Sequence, residues 1–296
     1  MRQNVMHPLK KTKTIKLKNF YIKRFLRLLP ALLILIFILI ILMVTGLIPD
    51  NYKGIFYSFF YVYNFIPKPE YSSELGMTWS LAVEEQFYIF WPFVILLFKR
   101  SRTLILISVA LVMVCILFVY QLDLFNFNIN YKGVTYTKLH KLYFTKRWFF
   151  PAIGPIMIGC ICTLINVKHL KKVNKFGNYY LVLGAILFSS SLFLPKSILA
   201  IDFIIQALGT SLILLYIIHH QSSTLTKVLE FKPLSYMGKI SYGLYIYQGL
   251  FLGTGTGSNV LFFQKYPLNI MLTFLVAIVS FKYIEMPFLR LKEKLI

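Results

Sequence analysis

Residues 78–92 read TWSLAVEEQFYIFWP, two adjacent carboxylates and a glutamine inside a run otherwise apolar and aromatic enough to lie in a bilayer. An ionisable side chain at membrane depth costs about 2.5–3.5 kcal/mol on insertion scales, so it faces a protein interior, a partner or a water-filled site. Two in succession, Glu84 and Glu85, mark the place where chemistry is to be sought. Along a helix Glu84 shares a face with Ser80, Tyr88 and Trp91, while Glu85 lies about 100° round with Thr78, Leu81 and Ile89. One carboxylate can therefore point into a cavity while the other meets a neighbouring helix. The alternative from the residues alone is a buried ion pair that fixes helix packing.

The rest of the chain has the same character. Of its 296 residues 58% are hydrophobic and 14% charged, well below the roughly 25% charged of soluble domains. Residues 29–48 form the clearest apolar run. Runs at 103–120, 148–167, 179–194, 199–218, 236–254 and 269–288 also approach the roughly 20 residues that cross a bilayer, and 78–98 joins them despite its glutamates. Residues 54–66 (GIFYSFFYVYNFI) are too short to span and are closed by Pro67, so they read as interfacial or re-entrant. The expected fold is an all-α polytopic transmembrane bundle of about eight spans plus that one short helix.

The net charge of +22 suggests nucleic acid at first sight, but the lysines and arginines lie in loops, where they mark membrane surfaces. Membrane lipid is thus an expected partner and nucleic acid is not. Basic clusters at Lys99–Arg102, Lys168–Lys175, Lys227 with Lys232, and Arg290–Lys294 alternate along the chain so as to place both termini in the cytoplasm. The organisation read from this is a basic cytoplasmic arm over 1–28, a membrane domain over 29–290 and a cytoplasmic tail over 291–296. The N-terminus shows no signal-peptide pattern. Cys115, Cys160 and Cys162 fall inside apolar runs without metal spacing, and the five histidines fall in loops or at helix ends. Neither a metal site nor a disulfide framework is expected.

Outside the glutamate helix, Arg24 and Arg27 stand three apart on one helical face at the entry to the first span, and guanidinium forks suit phosphate oxygens. Anchoring to anionic lipid is the plainer reading. Arg147 precedes a Gly-rich span and is either an interfacial snorkelling arginine or a site residue. Lys282 and Glu285, one turn apart, are expected to neutralise each other.

At these residues the chain resembles the membrane-bound acyltransferase-3 family, the O-antigen and exopolysaccharide O-acetylase type. Residues 78–92 follow the family's TWSLxxEEQFYxxxP motif almost letter for letter. KRFLRLLP with Arg24 and Arg27, Arg147 with its Gly-rich span, ISYGLYIYQ with Tyr242, and YIEMPFLRL with Glu285 follow in the family's order. The resemblance implies an enzyme of the cell (inner) membrane of a bacterium. It would move an acyl group, usually acetyl, from acyl-CoA as co-substrate to a hydroxyl of a cell-envelope glycan or lipid-linked sugar, with no bound cofactor. It implies Glu84, Glu85, Tyr88 and Trp79 as catalytic, and Arg24, Arg27, Arg147, Ser80, Tyr242 and Glu285 as substrate-binding residues.

The chain also departs from the family's pattern. The family's two helices before the arginine motif, the first with a catalytic histidine, have no counterpart here. His7 lies in the basic arm and does not match, and Gln248 stands where a later histidine would be. Inactivity through N-terminal truncation therefore stays open beside activity. The alternative from another class is a non-catalytic membrane protein or a carrier of lipid-linked sugar.

Overall fold

The structure, a computed structural model, describes residues 17–124, 129–131, 134–136, 146–173, 177–190, 193, 199–252 and 261–294. It is helical apart from a short antiparallel ribbon, Ile129–Tyr131 with Val134–Tyr136. Helix α1 spans Leu17–Val44 and α2 Tyr52–Phe59, followed by two 3-10 turns at Tyr63–Phe65 and Lys68–Glu70. Then come α3 (Thr78–Leu97), α4 (Ser101–Leu124), α5 (Phe149–Val173), α6 (Gly177–Ser190) and α7 (Leu199–His219). The chain continues through α8 (Thr224–Leu229), α9 (Lys232–Leu252), α10 (Leu268–Ser280), a π turn (Phe281–Glu285) and α11 (Met286–Lys294).

Five stretches among the described residues are long and apolar enough to cross a membrane: Leu17–Val44, Thr78–Leu97, Ser101–Phe118, Asp202–His219 and Leu268–Leu291. The protein is accordingly a multi-pass helical membrane protein, and the described residues do not confirm a count of eight spans. Helix α6 has 14 residues, about 21 Å of rise against roughly 30 Å of hydrocarbon. The described apolar stretch of α5 ends at Ile165, and α9 opens on the polar sequence KPLSYMGK. Helix α1 begins at Leu17, twelve residues before the apolar run, so Lys23, Arg24 and Arg27 ride on the same rigid helix as the span.

Two helix groups meet at α3. In the first, α1 packs with α9, α10 and α11; in the second, α4, α5, α6 and α7 pack on one another. The core of the first runs along α1 from Leu28 to Met43 and takes in Tyr63, Ile66, Leu75, Ile246 and Tyr247. The segment between α1 and α3 is two-sided: Tyr63 and Ile66 enter this core, while Tyr52, Phe56 and Phe59 of α2 are exposed. Its length of helix is set by Asn51, whose side chain caps α2 by accepting from Gly54 N at 2.8 Å. A Cβ placed on Gly209 would stand 2.7 Å from the Gly184 carbonyl oxygen, so α6 and α7 touch backbone to backbone there. Small residues permit such approach where hydrophobic driving force between helices is weak.

Candidate functional site

The site is built where α1 crosses α3. The Arg24 fork grips Glu85: its Nη2 donates to Oε1 at 2.6 Å and its Nε to the same oxygen at 3.2 Å. Its guanidinium carbon also lies 3.2 Å from the centre of the Tyr88 ring. One residue thus satisfies a carboxylate and covers an aromatic face, which a point-charge lysine could not do with the same geometry. Phe20 packs against Tyr88 from one turn earlier on α1, and the Tyr21 hydroxyl donates to the Ile89 carbonyl. Glu85, Tyr88 and Ile89 are all met by α1 because residues three and four apart share a helix face.

Glu84 differs from its neighbour. It is exposed and makes no hydrogen bond among the described residues, with Arg24 and Arg27 in electrostatic range. Arg27 is likewise exposed, and acts on both Glu84 and Glu285. The arginine pair is thereby divided: Arg24 is occupied by α3, whereas Arg27 remains open.

Helices α9 and α10 close the far side. Tyr242 donates to the Leu28 carbonyl at 2.7 Å and lies in range of Glu85 and Glu285. Tyr247 reaches the Ala31 carbonyl at 3.4 Å, so two tyrosines of α9 bond the backbone on either side of Pro30. Ser80 hydrogen-bonds the Tyr245 hydroxyl, which also donates to Met77 O at 2.8 Å and stands near Glu84. Glu285 is buried (5% exposed) and accepts from Ser280 Oγ at 3.1 Å, while that hydroxyl contacts the Tyr247 hydroxyl at 2.8 Å. The expected Lys282–Glu285 neutralisation does not form. The π turn adds a residue to the local repeat, so Glu285 turns inward while the Lys282 ammonium lies 5.1 Å from the Tyr283 ring.

Trp79 and Arg147 come together elsewhere. Arg147 is buried (4% exposed), its guanidinium carbon 4.7 Å from the Tyr71 ring centre and 5.7 Å from that of Trp79. This rules out the snorkelling reading, since a snorkelling head remains in water. Tyr71 in turn lines a cleft of about 650 Å³ between the Val44 end of α1 and the 3-10 turns. Of the ten residues expected at a site, eight gather around the α1–α3 crossing. Trp79 and Arg147 form a second cluster at the start of α3, with Arg147 coming from the segment just before α5.

Sequence reasoning missed Tyr61 and Asn64, and it noted Gln86 and Tyr245 within their motifs without giving either a place at the site. Gln86 carried a usable signal, because a glutamine in an apolar span must find hydrogen-bond partners within the protein. It does: its Nε2 donates to Tyr61 O and to Asn64 Oδ1, both at 2.9 Å.

A membrane helix bundle whose central span carries a carboxylate pair, one gripped by an arginine and one open, defines the class in structural terms. Comparison with known proteins gives it a family. The profile of the acyltransferase-3 family, described as an acyltransferase domain, matches residues 5–281. The chain belongs to that family. It is similar to the peptidoglycan O-acetyltransferase OatA of Listeria monocytogenes, with 28% identity over 94% of this chain and 47% of that protein. It is also similar to YrhL of Bacillus subtilis, to which the same activity is assigned provisionally, at 24% identity over 91% of this chain and 45% of that protein. The chain spans about half the length of these curated relatives. No solved structure matches the chain.

Proposed function

We propose that the chain is a membrane O-acyltransferase that moves an acetyl group from acetyl-CoA to a hydroxyl of cell-envelope glycan, with peptidoglycan or its lipid-linked precursor as acceptor. The observation that carries this reading is the division of labour between the carboxylates. Glu85 is fixed by Arg24 and Tyr88, and Glu84 stands open beside the unoccupied Arg27. The names of the relatives supply the acceptor class; the donor follows from the fit of the open Arg27 guanidinium to a phosphate of CoA.

The chemistry assigns one task to each group. Glu84 accepts the proton of the glycan hydroxyl as its oxygen adds to the thioester carbon. The carbon–sulfur bond then breaks, the acetyl group passes to oxygen, and Glu84 returns its proton to the thiolate, which leaves as CoA thiol. Arg27 meets phosphate. Arg24 acts through Glu85 and Tyr88, holding the crossing of α1 and α3 in place. A positioned general base contributes about 10²–10⁴-fold to rate.

The test uses the whole chain reconstituted in lipid with labelled acetyl-CoA and either peptidoglycan fragments or a lipid-linked sugar. Label is expected on the glycan, and Glu84→Gln is expected to lower the rate about 10²-fold or more. Absence of transfer to both acceptors by the unaltered chain, or a full rate in Glu84→Gln, overturns the reading.

A further inference from the structure

Tyr61 sits in a backbone conformation that its side chain does not favour. Among the described residues it is the non-glycine residue with φ in the left-handed region, at +54°, where a bulky side chain crowds the following carbonyl. Such a conformation persists only where its surroundings over-determine it, and it concentrates at functional sites.

The surroundings here are specific. Gln86 and Asn64 join amide to amide: Gln86 Nε2 donates to Asn64 Oδ1 at 2.9 Å, and Asn64 Nδ2 donates back to Gln86 Oε1 at 3.2 Å. The second hydrogen of the Gln86 amide goes to the Tyr61 carbonyl at 2.9 Å. Asn64 is 3% exposed, so the pair is sheltered from competing water. Backbone bonds from Tyr61 N to Ser58 O (3.1 Å) and from Val62 N to Tyr57 O (2.9 Å) close the turn on the other side.

What the turn achieves is the placing of a phenol. The Tyr61 ring packs against the α1 core, in electrostatic range of Glu85, Arg24 and Tyr242. Its hydroxyl takes no hydrogen bond among the described residues. Burial, reinforced by Glu85 nearby, raises its pKa, so at neutral pH the phenol keeps its proton and is a donor. Gln86 follows directly on the two glutamates in sequence, so a single helical turn of α3 carries both the carboxylates and the clamp.

We infer that Tyr61 donates a hydrogen bond to the acyl carbonyl oxygen at the Glu84–Glu85 site, with Gln86 and Asn64 as the positioning residues that hold it there. The inference rests on the acyl-transfer reading above. As the hydroxyl oxygen adds to the thioester carbon, negative charge builds on the carbonyl oxygen, and a donor already fixed in place stabilises that charge.

The test is a kinetic cycle on the reconstituted chain. Tyr61→Phe keeps the ring and removes the donor; it is expected to lower kcat about 10- to 100-fold, with KM for acetyl-CoA within about two-fold and Tm unchanged. Gln86→Leu is expected to lower kcat similarly and Tm as well, and the double variant to fall no further than Tyr61→Phe alone. Adding Tyr61→Gly to Gln86→Leu is expected to restore Tm, because glycine needs no clamp at positive φ, without restoring kcat. An unchanged kcat in Tyr61→Phe overturns the inference, as does additive loss in the double variant. Should the unaltered chain transfer nothing, the function reading fails separately. The inference is then decided by Tyr61→Cys in a chain whose three cysteines are alanine: reaction with a polar thiol reagent supports an open site at position 61, and no reaction overturns it.

Discussion

On its α1 side, α3 presents Glu85 gripped by the Arg24 fork, with Glu84 open beside it; further along, Phe87 and Trp91 stack at 5.6 Å within an apolar cluster that includes Met157. The first contact is directional and depends on two hydrogen-bonded charges. The second depends on the stacking and shape of apolar groups. The same 20-residue helix thus separates what holds the bundle from what can react. A carboxylate used as a packing bolt would be expected to be buried and fully bonded. Glu85 approaches that state, whereas Glu84 does not.

The comparison breaks most severely at Arg24. Arg24→Ala leaves Glu85 half-buried without its cation and uncovers Tyr88. Loss of one partner of a pair at this depth is expected to lower stability by about 1–3 kcal/mol, between the surface and fully buried cases, and transfer should fall with it. Denaturant titration in detergent beside the transfer assay checks both. Full stability would show that the crossing is held by its apolar contacts alone.

A middle effect is expected on the packing side. Gly209→Val places side-chain atoms where α6 and α7 already touch. It should cost about 1–3 kcal/mol as overpacking does, lowering Tm while leaving kcat of the surviving protein unchanged. A fall in kcat at constant Tm would mean that the second helix group takes part in transfer.

The smallest effect is expected at Lys53. Its ion pair with Glu70 is short, 2.6 Å, but the lysine is 69% exposed, so Lys53→Met should change stability by no more than about 1 kcal/mol. A larger loss would show that the rim of the neighbouring cleft is more tightly organised than surface charge allows.

These contrasts also explain what could be read from the sequence. The glutamate pair was legible because charge inside an apolar run is improbable without a use, and the arginines because their spacing puts them on one face. The count of eight spans rested on hydropathy, which registers any long apolar run, and among the described residues five stretches have the length and composition to cross. Tyr61 and Asn64 were hidden for another reason. They lie in an aromatic stretch with no helical period, and their contact with Gln86 spans 22 to 25 residues. The inward turn of Glu285 was equally hidden, since an i,i+3 pairing presumes an ordinary α repeat that the π turn interrupts.

That interruption at Phe281–Glu285 carries a consequence for how the chain can change. Were the segment to relax into an unbroken α spiral at unchanged length, Glu285 would swing by roughly a quarter of a revolution. Its acid would then leave Ser280 and face the surrounding oil, although neither the length nor the overall charge would have changed. Phase along the helix, more than chemical content, is what keeps that acid indoors.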